Sequence, residues 1–189
     1  MSETSSGQQA AAVAVFDPFA GADPAVSALR DALRAEGVDA EITSDPASAV
    51  AADGLVVAAS GDAAEVLRVL RNTQVDRVVG QRLAGSRPVL VVGAAMDALF
   101  ERAADGAAGF GEWPGGVVKL DAPVERAEVA AADGSQMLDG AQEFVFNAAT
   151  GARDFELKED EFIAYPKLSW AGEVLAAVEN GPLWATRFH

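Results

Sequence analysis

Apolar and polar positions alternate in a way that divides the chain into two halves. Val13-Ala14-Val15-Phe16 is a short apolar run closed by Asp17-Pro18, which predicts a strand followed by a loop. Pro24 falls in a first helical turn with Asp23 as its N-cap, and Ala25, Val26, Leu29, Ala32, Leu33 and Ala35 follow at helical spacing up to Gly37. Val38 to Thr43 alternates as a strand with one buried face, and Asp45-Pro46 opens a short helix to Ala52. Gly54-Leu55-Val56-Val57-Ala58 and Val89-Leu90-Val91-Val92 are continuous apolar runs, the pattern of central parallel strands covered on both faces. Between them, Ser60-Gly61-Asp62 reads as a turn with an N-cap. Helices are predicted through Val66, Leu67, Val69 and Leu70, then over Val75 to Leu83. After Gly93 the spacing predicts an apolar helix through Met96, Leu99 and Phe100.

Beyond Gly115-Gly116 the pattern changes to short strands: Val117–Leu120, Val124–Ala130, Phe144–Ala148, Phe162–Tyr165, Glu173–Val178 and Leu183–Phe188. No internal repeat and no long linker interrupts the chain. The expectation is a polar tail over residues 1–9 and one α/β domain over 10–189, with a parallel central sheet extended by antiparallel strands.

Composition narrows the chemistry. With 14 Lys+Arg against 29 Asp+Glu the net charge is −15, which argues against nucleic acid and anionic membrane as partners. No run reaches the roughly 18 apolar residues of a bilayer span, and a cytoplasmic location is the expectation. The chain has no cysteine and a single histidine, His189, so no metal site and no cofactor are expected. Glu156 to Glu161 reads as a solvated acidic loop or an edge-strand guard rather than a carboxylate site. Gly106 to Gly116 lacks the preceding strand and following helix of a phosphate cradle. Glu112-Trp113-Pro114-Gly115 reads as a packed turn, and Trp170 and Trp184 as core residues.

Several segments in order, from Val13 to His189, carry a family resemblance. They are Ser44-Asp45-Pro46, Ala52 to Val57, Gly80 to Val89, Val89 to Met96 followed by Leu99-Phe100-Glu101, Gly111 to Gly115, and Glu179 to His189. In them the chain resembles the triad (class I) glutamine amidotransferases, and among these the glutaminase subunits of imidazole glycerol phosphate synthase. The resemblance implies a three-layer, flavodoxin-like α/β fold.

It also implies where a site would lie. The family's G-[IV]-C-x-G-x-Q elbow maps its nucleophile onto Gly93, its second glycine onto Ala95 and its glutamine onto Asp97. The oxyanion segment maps onto Ala58, Ala59, Ser60 and Gly61, and the H-S-Y segment of the glutamine pocket onto Ala148, Ala149 and Thr150. His189 aligns with the catalytic histidine of Q-F-H-P-E. The D-Y-G-x-G-N loop reads Asp17 to Ala22, and P-H-M-G-W-N is not recognisable between Pro123 and Ala132.

Glutamine hydrolysis of this class needs a thiolate at the elbow, a base and an orienting carboxylate. The resemblance, with glycine at 93, leads to the expectation of a chain that is not itself an enzyme and keeps a binding or regulatory role. Its partner would be a protein, the cyclase subunit of the synthase or a second copy of itself. The alternative is a glutaminase-like subunit that docks on that cyclase in histidine biosynthesis. One local expectation follows from the turn alone. An elbow residue takes φ > 0, which glycine adopts without a Cβ clash, so Gly93 should keep the turn.

Overall fold

The structure, a computed structural model, describes residues 12–155 and 165–189. The first half alternates strands and helices. In order these are β1 (Ala12–Phe16), α1 (Pro24–Ala35), β2 (Asp39–Thr43), α2 (Pro46–Ala51), β3 (Gly54–Ala59), α3 (Ala63–Asn72), α4 (Val75–Ala84) and β4 (Val89–Gly93). A 3-10 segment, Ala94–Leu99, then leads into β5 (Phe100–Arg102). The remaining elements are strands: β6 (Trp113–Ala130), β7 (Ala141–Ala152), β8 (Lys167–Ala171), β9 (Val174–Asn180) and β10 (Leu183–Thr186).

Aspartates set the helix starts. The side chain of Asp23 accepts from the N–H of Ala25, that of Asp45 from Ala47 and Ser48, and that of Asp62 from Ala64 and Glu65. Each satisfies N–H groups that a helix leaves without internal partners.

The strands form one sheet in the order β2-β1-β3-β4-β10-β9-β8-β6-β5, with β7 paired to β6. β2, β1, β3, β4 and β10 run parallel, and the pairs from β10 through β9 and β8 to β6 are antiparallel. This is the parallel centre with antiparallel extension that the sequence predicts. Helix α1 covers one face through Val26, packed with Val15, Val56 and Val92. Helices α3 and α4 cover the other through Val66, Leu67, Leu70, Val75, Val78 and Val79, packed with Phe16, Leu55 and Val57.

Two basic side chains fasten the helical layer to the sheet. The Arg82 guanidinium is fully buried, and its two terminal nitrogens donate to the carbonyls of Ala49, Val50, Ala52, Asp53 and Pro88 at 2.7–3.1 Å. Arg87 donates to Val50, Ala51 and Ala52 at 2.7–3.0 Å. Apart from Pro88, which precedes β4, these are the carbonyls at the C-terminal end of α2 and its exit, which lack partners within the helix.

Four expectations are corrected. The segment after Gly93 is a 3-10 turn, and Phe100 leaves it as a strand paired with Trp113. Val117–Leu120 and Val124–Ala130 are parts of one strand, β6, whose register slips between Lys119 and Val124; the bulge there absorbs Pro123, which has no N–H for the ladder. Trp113 begins β6 rather than occupying a turn, and it is the fully buried tryptophan, packed edge-on to Phe100. Trp170 and Trp184 are only partly buried; Trp184 rims an apolar trough of about 490 Å³ with Leu90, Val56 and Pro182. Glu156–Glu161 and most of Phe162–Tyr165 lie outside the described residues, and β8 was not foreseen.

One buried carboxylate ties the 135–138 turn to β9. Glu179 accepts from the Ser135 hydroxyl and from the N–H groups of Gln136 and Met137. Burial pulls its pKa upward, but those three hydrogen bonds and the nearby Lys167 outweigh it and hold the carboxyl below its ordinary value. A depressed acid contributes stability above its unfolded-state pKa and loses it as pH falls through the folded value. Glu179→Gln should therefore be less stable than the parent near neutral pH and should converge with it on acidification. Urea midpoints between neutral pH and about pH 3 read this, the lower limit lying below an ordinary glutamate pKa; a gap independent of pH contradicts it.

Candidate functional site

The parallel strands end together at one edge, and the candidate residues gather there. Gly93 closes β4 with φ +73° and ψ −139°. The positive φ expected of it is present. A Cβ added at Gly93 would fall far inside contact distance of the Ala59 carbonyl oxygen and 3.9 Å from His189 Nδ1. Ala59 is Gly93's register partner in β3, so that oxygen belongs to a paired strand. The strand thus turns sharply into the 3-10 segment at Gly93, an elbow that the one imidazole of the chain faces.

Asp97 and Thr150 come together beside this elbow with a residue that sequence reasoning missed, Arg187. The Arg187 Nε lies 3.1 Å from Asp97 Oδ1, and both side chains are almost wholly buried. The Thr150 hydroxyl donates to the other Asp97 oxygen at 2.6 Å. Burial pushes the Asp97 carboxyl up, against the opposing pull of Arg187 and Thr150. This network joins the 3-10 segment, β7 and the stretch after β10. Its signal in the sequence was an acid and a base, each set in an otherwise apolar segment.

The remaining candidates separate. Ala58 and Ala59 are buried within β3, paired with Val92 and Gly93, so only Ser60 and Gly61 form the loop. Ser60 is turned toward α1: its N–H donates to Asp23 Oδ2 at 2.7 Å and its hydroxyl to Asp23 Oδ1 at 2.8 Å. The Ser60 N–H and hydroxyl are therefore both engaged by one carboxylate. Ala95 is buried in the main core, whereas Ala148 packs in a second cluster with Phe146 and Phe188. Ala149 and Thr150 line a cleft of about 220 Å³ with Asp62, Ala63, Asp105 and Lys119. Among the described residues, no group of three or more His, Asp or Glu side chains is placed to hold a metal ion. No described helix is long and apolar enough to cross a membrane.

No protein-family model matches the chain. Curated relatives match over most of its length. Imidazole glycerol phosphate synthase subunit HisH of Nocardia farcinica is 43% identical over 176 residues, which is 86% of this chain and 83% of the relative. HisH of Thermobifida fusca is 42% identical over 181 residues, 85% and 84% of the two chains. HisH of Corynebacterium diphtheriae is 40% identical over 178 residues, 85% of each. Among solved structures, a glutamine amidotransferase superposes with a TM-score of 0.70 at 16% identity, covering 95% of this chain and 89% of the other. A glutamine amidotransferase from Thermotoga maritima gives 0.63 at 12% identity, covering 95% and 75%. These two likenesses show the fold.

The relatives overturn one expectation. The lack of cysteine predicts a chain that is not an enzyme, whereas chains 36–43% identical to it are subunits of an enzyme, a synthase. The cysteine count describes one chain's side chains, whereas the activity named for the relatives is that of an assembly.

Proposed function

This chain belongs to the HisH family of imidazole glycerol phosphate synthase subunits, and on that footing we propose that it is the HisH-type subunit of such a synthase, docking on the cyclase subunit in histidine biosynthesis. The observation that carries the reading is identity above 40% to named synthase subunits over some 85% of the chain. The fold supports it, since the elbow, the facing imidazole and the loops after β1 and β3 all lie at the strand ends of one parallel sheet, where open α/β sheets place their sites. In this reading Gly93 and His189 mark the centre of the site, Ser60 and Gly61 its loop, and Asp97 and Thr150 its floor. The location that goes with it is the cytoplasm.

The test is co-purification. A tagged cyclase subunit from the same organism, co-expressed with this chain, should retain it through a wash at physiological ionic strength. The acidic charge makes low salt unsuitable, because unspecific attraction to any basic surface persists there. Loss of the chain in that wash, with both proteins folded, overturns the reading.

A further inference from the structure

His189 faces the elbow, yet among the described residues no side chain hydrogen-bonds its ring, and the residue is exposed. Its orientation must therefore come from the backbone and from its neighbour. The His189 N–H donates to the Val145 carbonyl of β7 at 3.2 Å. The Thr186 hydroxyl donates to the Phe188 carbonyl at 2.9 Å, which fixes the peptide leading into His189. The Phe188 ring is 7% exposed and lies flat on Phe144, with centroids 4.0 Å apart and planes at 21°. It also meets the fully buried Phe146 edge-on at 5.8 Å. Among the described residues, the hydrogen bonds and ring contacts that hold the last two residues thus come from Thr186 and from three consecutive positions of β7, within a cluster that also includes Val129, Ala148 and Ala176.

We propose that Phe144 is a positioning residue for the His189 imidazole, acting through Phe188. Phe146 has other buried neighbours and would hold its place without Phe188. Phe144 is only half-buried at the edge of this cluster, and among the described residues its aromatic partner is Phe188. An aromatic stack restricts tilt as well as excluding water, which an aliphatic side chain of similar volume does not do. Without it, Phe188 keeps a greasy neighbour but loses the plane that sets the direction of the following residue. The role matters only if the elbow and the imidazole are the site, as proposed above. The contact itself can be measured on the isolated chain, so its failure and a failure to dock are separate results.

The sole histidine makes the measurement unambiguous, because every imidazole signal belongs to His189. Nuclear Overhauser contacts between the imidazole protons and the Gly93 α-protons report the seated ring. Phe144→Leu should retain the amide fingerprint of the fold and lower the ratio of seated to unseated ring roughly fivefold, the shift that losing one ordinary aromatic stack produces. Phe144→Tyr should restore the contact. Phe188→Leu removes the other ring of the stack and should reproduce the loss, which keeps the test open if Phe144→Leu fails to fold. Contacts that persist in either leucine variant, or that vanish equally in Phe144→Tyr, overturn the proposal.

Discussion

Gly93→Ala should lose about 3–5 kcal/mol of folding stability, at the far end of what single substitutions do. Two costs add. The backbone pair of φ +73° and ψ −139° is glycine territory, and holding another residue there costs of order 1–3 kcal/mol. The new methyl would also collide with the Ala59 carbonyl oxygen. That oxygen cannot move aside cheaply, because β3 and β4 are paired at this position and buried on both faces. Gly61→Ala separates the costs: its φ is +94°, but a Cβ there meets nothing within 4 Å. It should cost only about 1 kcal/mol, the conformational part alone. Chemical denaturation of the two variants gives both numbers. Equal losses at 61 and 93 would mean that the Ala59 contact is absent. A cysteine at 93 meets the same oxygen, so placing the family's residue there requires the backbone of the elbow to change with it.

The second large effect is at Arg82. Among the described residues, Arg82→Met removes the one guanidinium that reaches the carbonyls of Ala49, Asp53 and Pro88, and of these three Pro88 keeps the Leu55 N–H as a donor. Each buried acceptor left without a donor costs on the order of 1–3 kcal/mol, and Arg87 continues to serve Val50 and Ala52. A net loss of about 3–4 kcal/mol follows from the acceptors left over, reduced by the relief of burying a charge that, among the described residues, has no carboxylate at ion-pair distance and only the weak attraction of Asp53. Burial already holds the Arg82 pKa below its ordinary value, with Arg87 adding repulsion. Arg82→Lys should recover little, because one ammonium cannot span carbonyls from both α2 and the start of β4. Urea midpoints check both; a methionine variant as stable as the parent would show that these carbonyls find other donors.

Much of the first half was legible for a local reason. Aspartate before or near a helix start announces a cap, and the caps at Asp23, Asp45 and Asp62 are all observed. The runs at Gly54 and Val89 are apolar on both faces, which only a covered parallel strand requires. Gly93 was legible because the turn, rather than any partner, dictates its φ.

The second half was harder because its determinants are long-range. Proline at 123 suggests a break, yet a bulge lets β6 run on past it. Lys167–Ala171 alternates polar and apolar but buries Ser169 and Ala171 rather than Leu168 and Trp170, and it becomes a strand through pairing with β9. At the site, the order of residues placed Gly93, His189, Asp97 and Thr150 near one another by resemblance. It could not reveal that Asp97 is matched by Arg187, or that Asp23 takes the N–H of Ser60, since those contacts join segments distant in the chain. Asp97 reads as a lost glutamine in the sequence and as half of a buried ion pair in the structure.

We propose that this chain is a synthase subunit that docks on the cyclase. Sedimentation velocity of an equimolar mixture with the cyclase subunit, at about 10 μM each and physiological salt, tests it most directly. Docking should give a single faster boundary of one-to-one stoichiometry, which dilution separates into its components. Two independent boundaries at that concentration, each at the position of the protein run alone, would contradict it.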